Sequence, residues 1–177
     1  CLARLGFPLE LCDDTPLTRE SRADLPGPRG SRTCASAAAD AVRRAVPGAV
    51  VRLAQSAPAL AVVFGVGACD PTVTTPLVAT DTAHLLITTD EAGAWAGPLV
   101  VPGQSPCATC VGLHAADADA LWPQLSIQLG NGRRPRLSAD AVAGVVAVAS
   151  AAALAHVEPA RDAAWIVAEA EPGGGYR

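Results

Sequence analysis

The chain has 177 residues, enough for one domain or one and a fragment, and its formal net charge is −4. That charge offers no basic excess for nucleic acid, and all thirteen basic residues are Arg, which excludes the lysine of a Schiff base or of a phosphate loop. Half of the residues are hydrophobic but only 3% are aromatic, so the core is expected to be Ala, Val and Leu, suited to helices packed closely on a parallel sheet.

No Met occurs and position 1 is Cys, which points to a processed or incomplete start. Residues 1–6 (CLARLG) read as the last turn of a helix stopped at Gly6. Residues 7–11 (FPLEL) read as a short strand ended by Cys12-Asp13-Asp14, and residues 15–30, rich in Pro, Arg and Asp, as a loop. Ser31 or Thr33 can cap a helix to about Val46, with apolar positions 38, 41, 42, 45 and 46 forming its buried stripe. Pro47-Gly48 stops it, and residues 49–53 (AVVRL) form the next strand. Residues 60–64 (LAVVF) are almost wholly apolar and read as a strand buried on both faces. A tight turn over 65–69 leads into Asp70-Pro71.

Residues 72–81 read as a poor helix because Pro76 interrupts them. Residues 84–88 (HLLIT) and 94–101 are strands, and 102–112 are a loop carrying Cys107-x-x-Cys110. Residues 117–129 are mixed, with Asp117 or Asp119 as a cap and Pro123 in the first turn. A linker over 130–135 precedes a long Ala/Val helix capped by Ser138 and ending at His156, and residues 164–168 (AWIVA) read as a last strand. The order implies an α/β sheet, mostly parallel, with antiparallel members near 94 and 164. The apolar run 141–155 has 15 residues, short of the ~20 that span a bilayer, and is expected to be a buried core helix.

Several residues could carry chemistry. Asp13 and Asp14 stand where a strand ends, the place where open α/β sheets bind ligands, and an acid there can bond ribose hydroxyls; a solvated turn is the plain alternative. Asp70 closes another apolar strand and could hold Mg²⁺ beside phosphates, or simply make an Asp-Pro turn. Gly65-x-Gly67 is too short for a phosphate fingerprint. His84 opens a strand and reads as structural, and His156 suits a helix C-terminus. Cys107 and Cys110 could be half of a zinc site, a redox pair or inert thiols, with His114 as a third donor. A redox pair would need to open a helix after a strand, and Pro106 with Val111-Gly112 argues against a helix start there. Cys12, Cys34 and Cys69 read as small buried hydrophobes, and a cytoplasmic setting is expected.

The stretch 97–129, "GPLVVPGQSPCATCVGLHAADADALWPQLSIQL", together with residues 90–96 before it, resembles the ThiF-like family, relatives of ubiquitin-activating and sulfur-carrier-adenylating enzymes. It is most similar to the branch associated with azoline-forming peptide cyclodehydratases, in which Gly-Pro-Leu-Val and Pro-Gly precede Cys-x-x-Cys, and Asp-x-Asp and Trp-Pro follow. "ELCDDTPLT" and "AVRRAVPGA" extend the match more weakly toward the start.

The resemblance implies a partial Rossmann-like three-layer sheet with its first Gly-rich unit absent, added antiparallel strands and a Cys loop. The whole chain would be one incomplete ThiF-like domain, residues 1–89 forming its nucleotide-binding half and residues 90–177 the strands, Cys loop, crossing segment and long helix. Active relatives bind ATP and Mg²⁺ and adenylate a C-terminal carboxylate. By that pattern Asp13, with Asp14, matches the ribose-binding acid, Arg32 the basic residue at the next helix start, Asp70 the magnesium acid, and Cys107 and Cys110 the first zinc pair.

Departures from the pattern shape the functional expectation. No Arg follows soon after Asp70, and Ala115 and Ala118 stand where the branch carries Arg. The second zinc pair is expected beyond Tyr176-Arg177. The expected function is therefore a scaffold that recognises a precursor peptide for a partner cyclodehydratase, without retained ATP chemistry. The alternatives are an ATP-dependent adenylyltransferase acting on a peptide or carrier protein, or an inactive remnant. Pairing of two copies is a family habit; no membrane or nucleic-acid partner is expected.

Overall fold

The computed structural model describes residues 2–18, 31–53, 58–130 and 135–158. The chain divides into two compact units, Cys1–Ala57 and Pro58–Arg177.

In the first unit a 3-10 turn, Leu2–Leu5, ends at Gly6, whose φ of +86 is the left-handed conformation that glycine adopts without strain. Strands β1 (Leu9–Leu11) and β2 (Val51–Leu53) pair in parallel, Leu9 opposite Val51 and Leu11 opposite Leu53. Helix α1 (Cys34–Ala45) crosses between them and packs on both. Its start is a reciprocal cap. The Ser36 N–H donates to the Thr33 hydroxyl at 3.2 Å, and the Thr33 N–H donates to the Ser36 hydroxyl at 3.1 Å. Burial differs from the expected stripe: Cys34, Ala35, Ala37 and Ala39 are buried, while Arg44 and Ala45 are exposed. The strands explain this. Three residues of strand are ~10 Å long and twelve residues of helix ~18 Å, so the strands cover only the first turns.

In the second unit β3 (Ala61–Val66) and β4 (His84–Thr89) are parallel, joined through α2 (Pro71–Ala79), and β5 (Ala94–Val100) runs antiparallel to β4. The pairing of β4 with β5 joins residues on both sides of position 89/90 in one sheet. Central β4 is covered on both faces, since the consecutive residues His84, Leu85, Leu86 and Ile87 are all buried. On one face Val63, Leu86, Val100 and Cys69 form a cluster under Leu77 of α2 and Cys107 and Ala108. Strand β3 was expected to be buried on both faces and is not: Phe64 is 73% exposed and Val62 lies open beside it, while Val63 is buried. The reason is lateral position, because β3 is an edge of this sheet.

β5 tolerates Pro98 because it is the other edge and carries a register shift there: Leu85 faces Leu99 and Ile87 faces Ala96, leaving Gly97 and Pro98 opposite Leu86 alone. Pro76 does not abolish α2. Asp70 caps its start, Pro71 occupies the first turn where no N–H is needed, and the amide and hydroxyl of Thr80 both donate to the Pro76 carbonyl at its end.

The expected loop over 102–112 is corrected by α3 (Ala108–Ala118), with Cys107 as its N-cap residue. Pro106 precedes the cap, where its missing N–H costs nothing, and Gly112 within the helix costs only ~1 kcal/mol relative to Ala. Asp119 closes α3, and its carboxylate accepts the Leu121 N–H at 2.9 Å in the turn before α4 (Trp122–Gly130). Helix α5 (Ala139–Val157) starts at Ser138, whose hydroxyl accepts the Ala141 N–H at 3.4 Å. Its 19 residues are apolar enough to cross a membrane by length and composition. α5 contacts β4 and β5, but the expected buried core helix is corrected, since only Ala141, Gly144 and Ala153 of it are buried and Val142 and Val146 are exposed. The strand expected over 164–168 lies outside the described residues.

Candidate functional site

In the first unit the segment after β1 folds along the start of α1. The Ala35 N–H donates to the Asp13 carbonyl at 3.1 Å, the Cys34 N–H to the Thr15 carbonyl at 2.9 Å, and the Leu17 N–H to the Arg32 carbonyl at 3.0 Å. These bonds set Asp13 and Asp14 at the carboxyl end of a parallel strand beside the start of α1, and Arg32 beside Leu17 further along the same segment. That is where sheets of this type bind ligands, but the first amides of α1 are already taken by the Thr15 and Asp13 carbonyls and the Thr33 hydroxyl. One Asp13 oxygen accepts the Thr15 N–H at 3.0 Å, while Asp14 and Arg32 are exposed.

In the second unit Asp70 follows β3 and is the N-cap of α2. Its Oδ1 accepts the Thr72 N–H at 2.8 Å. That backbone N–H, helped by the Thr72 side chain, holds the Asp70 carboxyl below the usual carboxylate range. The other oxygen is left at an exposed surface. The pattern of an acid closing an apolar strand is thus present, with half of the acid serving the helix. Gly65 beside it serves the chain rather than a phosphate: a Cβ there would collide with the Ala68 carbonyl.

Cys107 and Cys110 lie at the start of α3 with their sulfurs 3.6 Å apart. Cys107 is half-buried and Cys110 exposed. The N–H of Cys110 is the main cause that holds the Cys107 thiol below its ordinary range, whereas burial pushes Cys69 above it. Two thiolates on one tetrahedral zinc with Zn–S of ~2.3 Å lie ~3.8 Å apart, so the pair fits two zinc positions as it stands. His114 does not join it: among the described residues no three His, Cys, Asp or Glu side chains group as a metal site. The chain reaches the pair from the rim opposite Asp70. Asp70 follows the end of β3, whereas β5 runs back so that Val100 pairs with His84 at the start of β4 before the chain turns toward Cys107.

Two features escaped sequence reasoning. His84 is fully buried; its Nδ1 lies 2.9 Å from the Thr82 carbonyl, and its Nε2 has no hydrogen-bond partner among the described residues. The second is a set of exposed apolar side chains on α3, α4 and the turn between them: Leu113, Leu121 and Ile127 are 63%, 57% and 66% exposed. Neither helix has a fully buried residue, and their weak amphipathic pattern was the only signal of this in the sequence.

No known family pattern matches the chain, and no curated protein matches it in sequence. Among solved structures, that of E. coli MccB with succinimide is similar: TM-score 0.57 and 14% identity, covering 94% of this chain and 53% of that one. The chain thus spans about half the length of that protein. At this identity the likeness carries the fold alone, a partial Rossmann-like α/β arrangement.

Proposed function

We propose that the chain is a scaffold and precursor-peptide-recognition component of an azoline-forming peptide cyclodehydratase system, in which a partner enzyme performs the ATP chemistry. The observation that carries this reading is the set of exposed apolar side chains on α3, α4 and the turn between them. Leu113, Leu121 and Ile127 lie within the same stretch, residues 90–129, that resembles the cyclodehydratase-associated branch. Large apolar side chains left in water on neighbouring elements suit an interaction surface, and a peptide supplies apolar side chains to cover them. Adenylation needs cations to offset charge developing at a phosphate. Here lysine is absent, Arg43 is engaged by Asp40 and the Val51 carbonyl, and Ala115 and Ala118 replace the branch's arginines.

Asp13, Asp14 and Arg32 are the residues that would hold a nucleotide, Asp70 the one that would hold magnesium, and Cys107 and Cys110 the zinc donors. The partners in this reading are a precursor peptide or carrier protein, the cyclodehydratase enzyme and a second copy of the chain, in a cytoplasmic setting. Titration calorimetry with the precursor peptide, run beside an ATP–pyrophosphate exchange assay, tests it. Peptide binding without exchange above background is expected, and binding should weaken at least ten-fold in Leu113→Asp. Peptide-stimulated exchange would overturn the scaffold reading in favour of an ATP-dependent adenylyltransferase. Neither binding nor exchange would leave an inactive remnant.

A further inference from the structure

The thiol pair has a second chemistry that metal ligation does not use. β5 leads through residues 101–106 directly into α3, so the pair opens a helix after a strand. Cys107 is the N-cap residue and Cys110 the third residue of the helix, which puts them one turn apart on the same side. Their sulfurs are in non-bonded contact at 3.6 Å. A disulfide is ~2.05 Å long, so ~1.5 Å of side-chain movement closes the bond.

The two thiols also differ in access. Cys107 is anchored against the cluster of Val63, Cys69, Leu86 and Val100, while Cys110 is exposed. Cys34 and Cys69 are buried, and Cys12, though exposed, belongs to the first unit. We propose that Cys107 and Cys110 are a reversible dithiol–disulfide site that exchanges with small-molecule disulfides, the protein bond closing across the 3.6 Å gap at the start of α3.

The exchange balances without any further reactant. The Cys110 sulfur attacks one sulfur of a glutathione-type disulfide, forming a mixed disulfide and releasing one small thiolate. The Cys107 sulfur then attacks the Cys110 sulfur, forming the intramolecular bond and releasing the second small thiolate. Both released thiolates take up the protons lost by the two protein thiols. Two protein thiols are thereby oxidised to one disulfide, and one small disulfide is reduced to two thiols. The product offers no thiolate to a metal, so oxidation and zinc ligation exclude each other. This holds whether or not the chain recognises a peptide or turns over ATP.

The test treats the metal-stripped full chain with mixtures of reduced and oxidised glutathione and maps the cysteines by mass spectrometry. The expected result is a peptide cross-linked between Cys107 and Cys110, loss of both of their thiols, and full reversal by dithiothreitol. Cys107→Ser should trap glutathione on Cys110, and Cys12→Ser should leave the cross-link intact. Added zinc should slow the cross-linking at least ten-fold in the wild-type chain. The proposal is overturned if Cys107 and Cys110 stay unlinked, either both free or each carrying its own glutathione, in the wild type and in Cys12→Ser.

Discussion

Asp70 divides its carboxylate between structure and any ligand it meets. One oxygen holds the Thr72 amide at the start of α2, and the other is exposed. Replacing such a cap by Ala costs about 1 kcal/mol, so Asp70→Ala should lower the melting temperature by a few degrees without unfolding the chain. The Asp70 carboxyl is held low in the folded chain by the Thr72 N–H, so the charged form favours folding. That contribution is complete above the unfolded value of ~3.9 and fades as pH falls through the lower folded value. The difference in melting temperature between wild type and Asp70→Ala should therefore shrink below about pH 4. A gap that stays constant down to pH 2 would show that the charge is not what caps the helix. The position of Asp70 after an apolar strand was legible in the sequence. Its use as a helix cap was not singled out, although Asp-Pro before a helix is a readable signal.

At the scale of elements, the turn after β3 and the helix after β5 make opposite demands on glycine. Gly65 lies where a Cβ would meet the Ala68 carbonyl, a backbone atom that cannot swing aside. Gly112 sits in α3 with only the Trp122 indole nitrogen near, at 3.9 Å, an ordinary contact. Gly65→Ala should thus destabilise the chain by about 1–3 kcal/mol, while Gly112→Ala should stabilise it by up to ~1 kcal/mol. Urea denaturation of both variants checks the pair, and equal effects of one sign would contradict this account of the turn. Most element positions could be read in advance, because caps and apolar spacing are local: Thr33, Ser138 and the runs of β3 and β4 lie where those signals put them. α3 could not, because its apolar residues point largely to water and its first turn is a cysteine pair flanked by proline and glycine.

At the scale of the whole molecule, zinc and fold meet. The described residues bring only Cys107 and Cys110 to the start of α3, and four-coordinate zinc needs donors from outside them. Purified chain should carry less than one zinc per molecule, and Cys107→Ser should remove what is there, as measured by elemental analysis. Zinc content unchanged in Cys107→Ser would remove the metal reading. The likeness to MccB covers nearly all of this chain at 14% identity. So low an identity is expected where only the pattern of apolar positions and turn residues has to persist.

The order of strands and helices apart from α3, the presence of parallel strands, the antiparallel β5 and the acids at strand ends followed from the sequence alone. Each depends on neighbours within a few residues, through apolar period, capping oxygen or turn-forming Gly and Pro. Tertiary structure alone decided that α1 buries only its first turns, that Val62 and Phe64 of an all-apolar strand face water, and that Cys107 opens a helix. Those outcomes depend on which distant segment covers a face and how far it reaches, and local spacing carries no record of that.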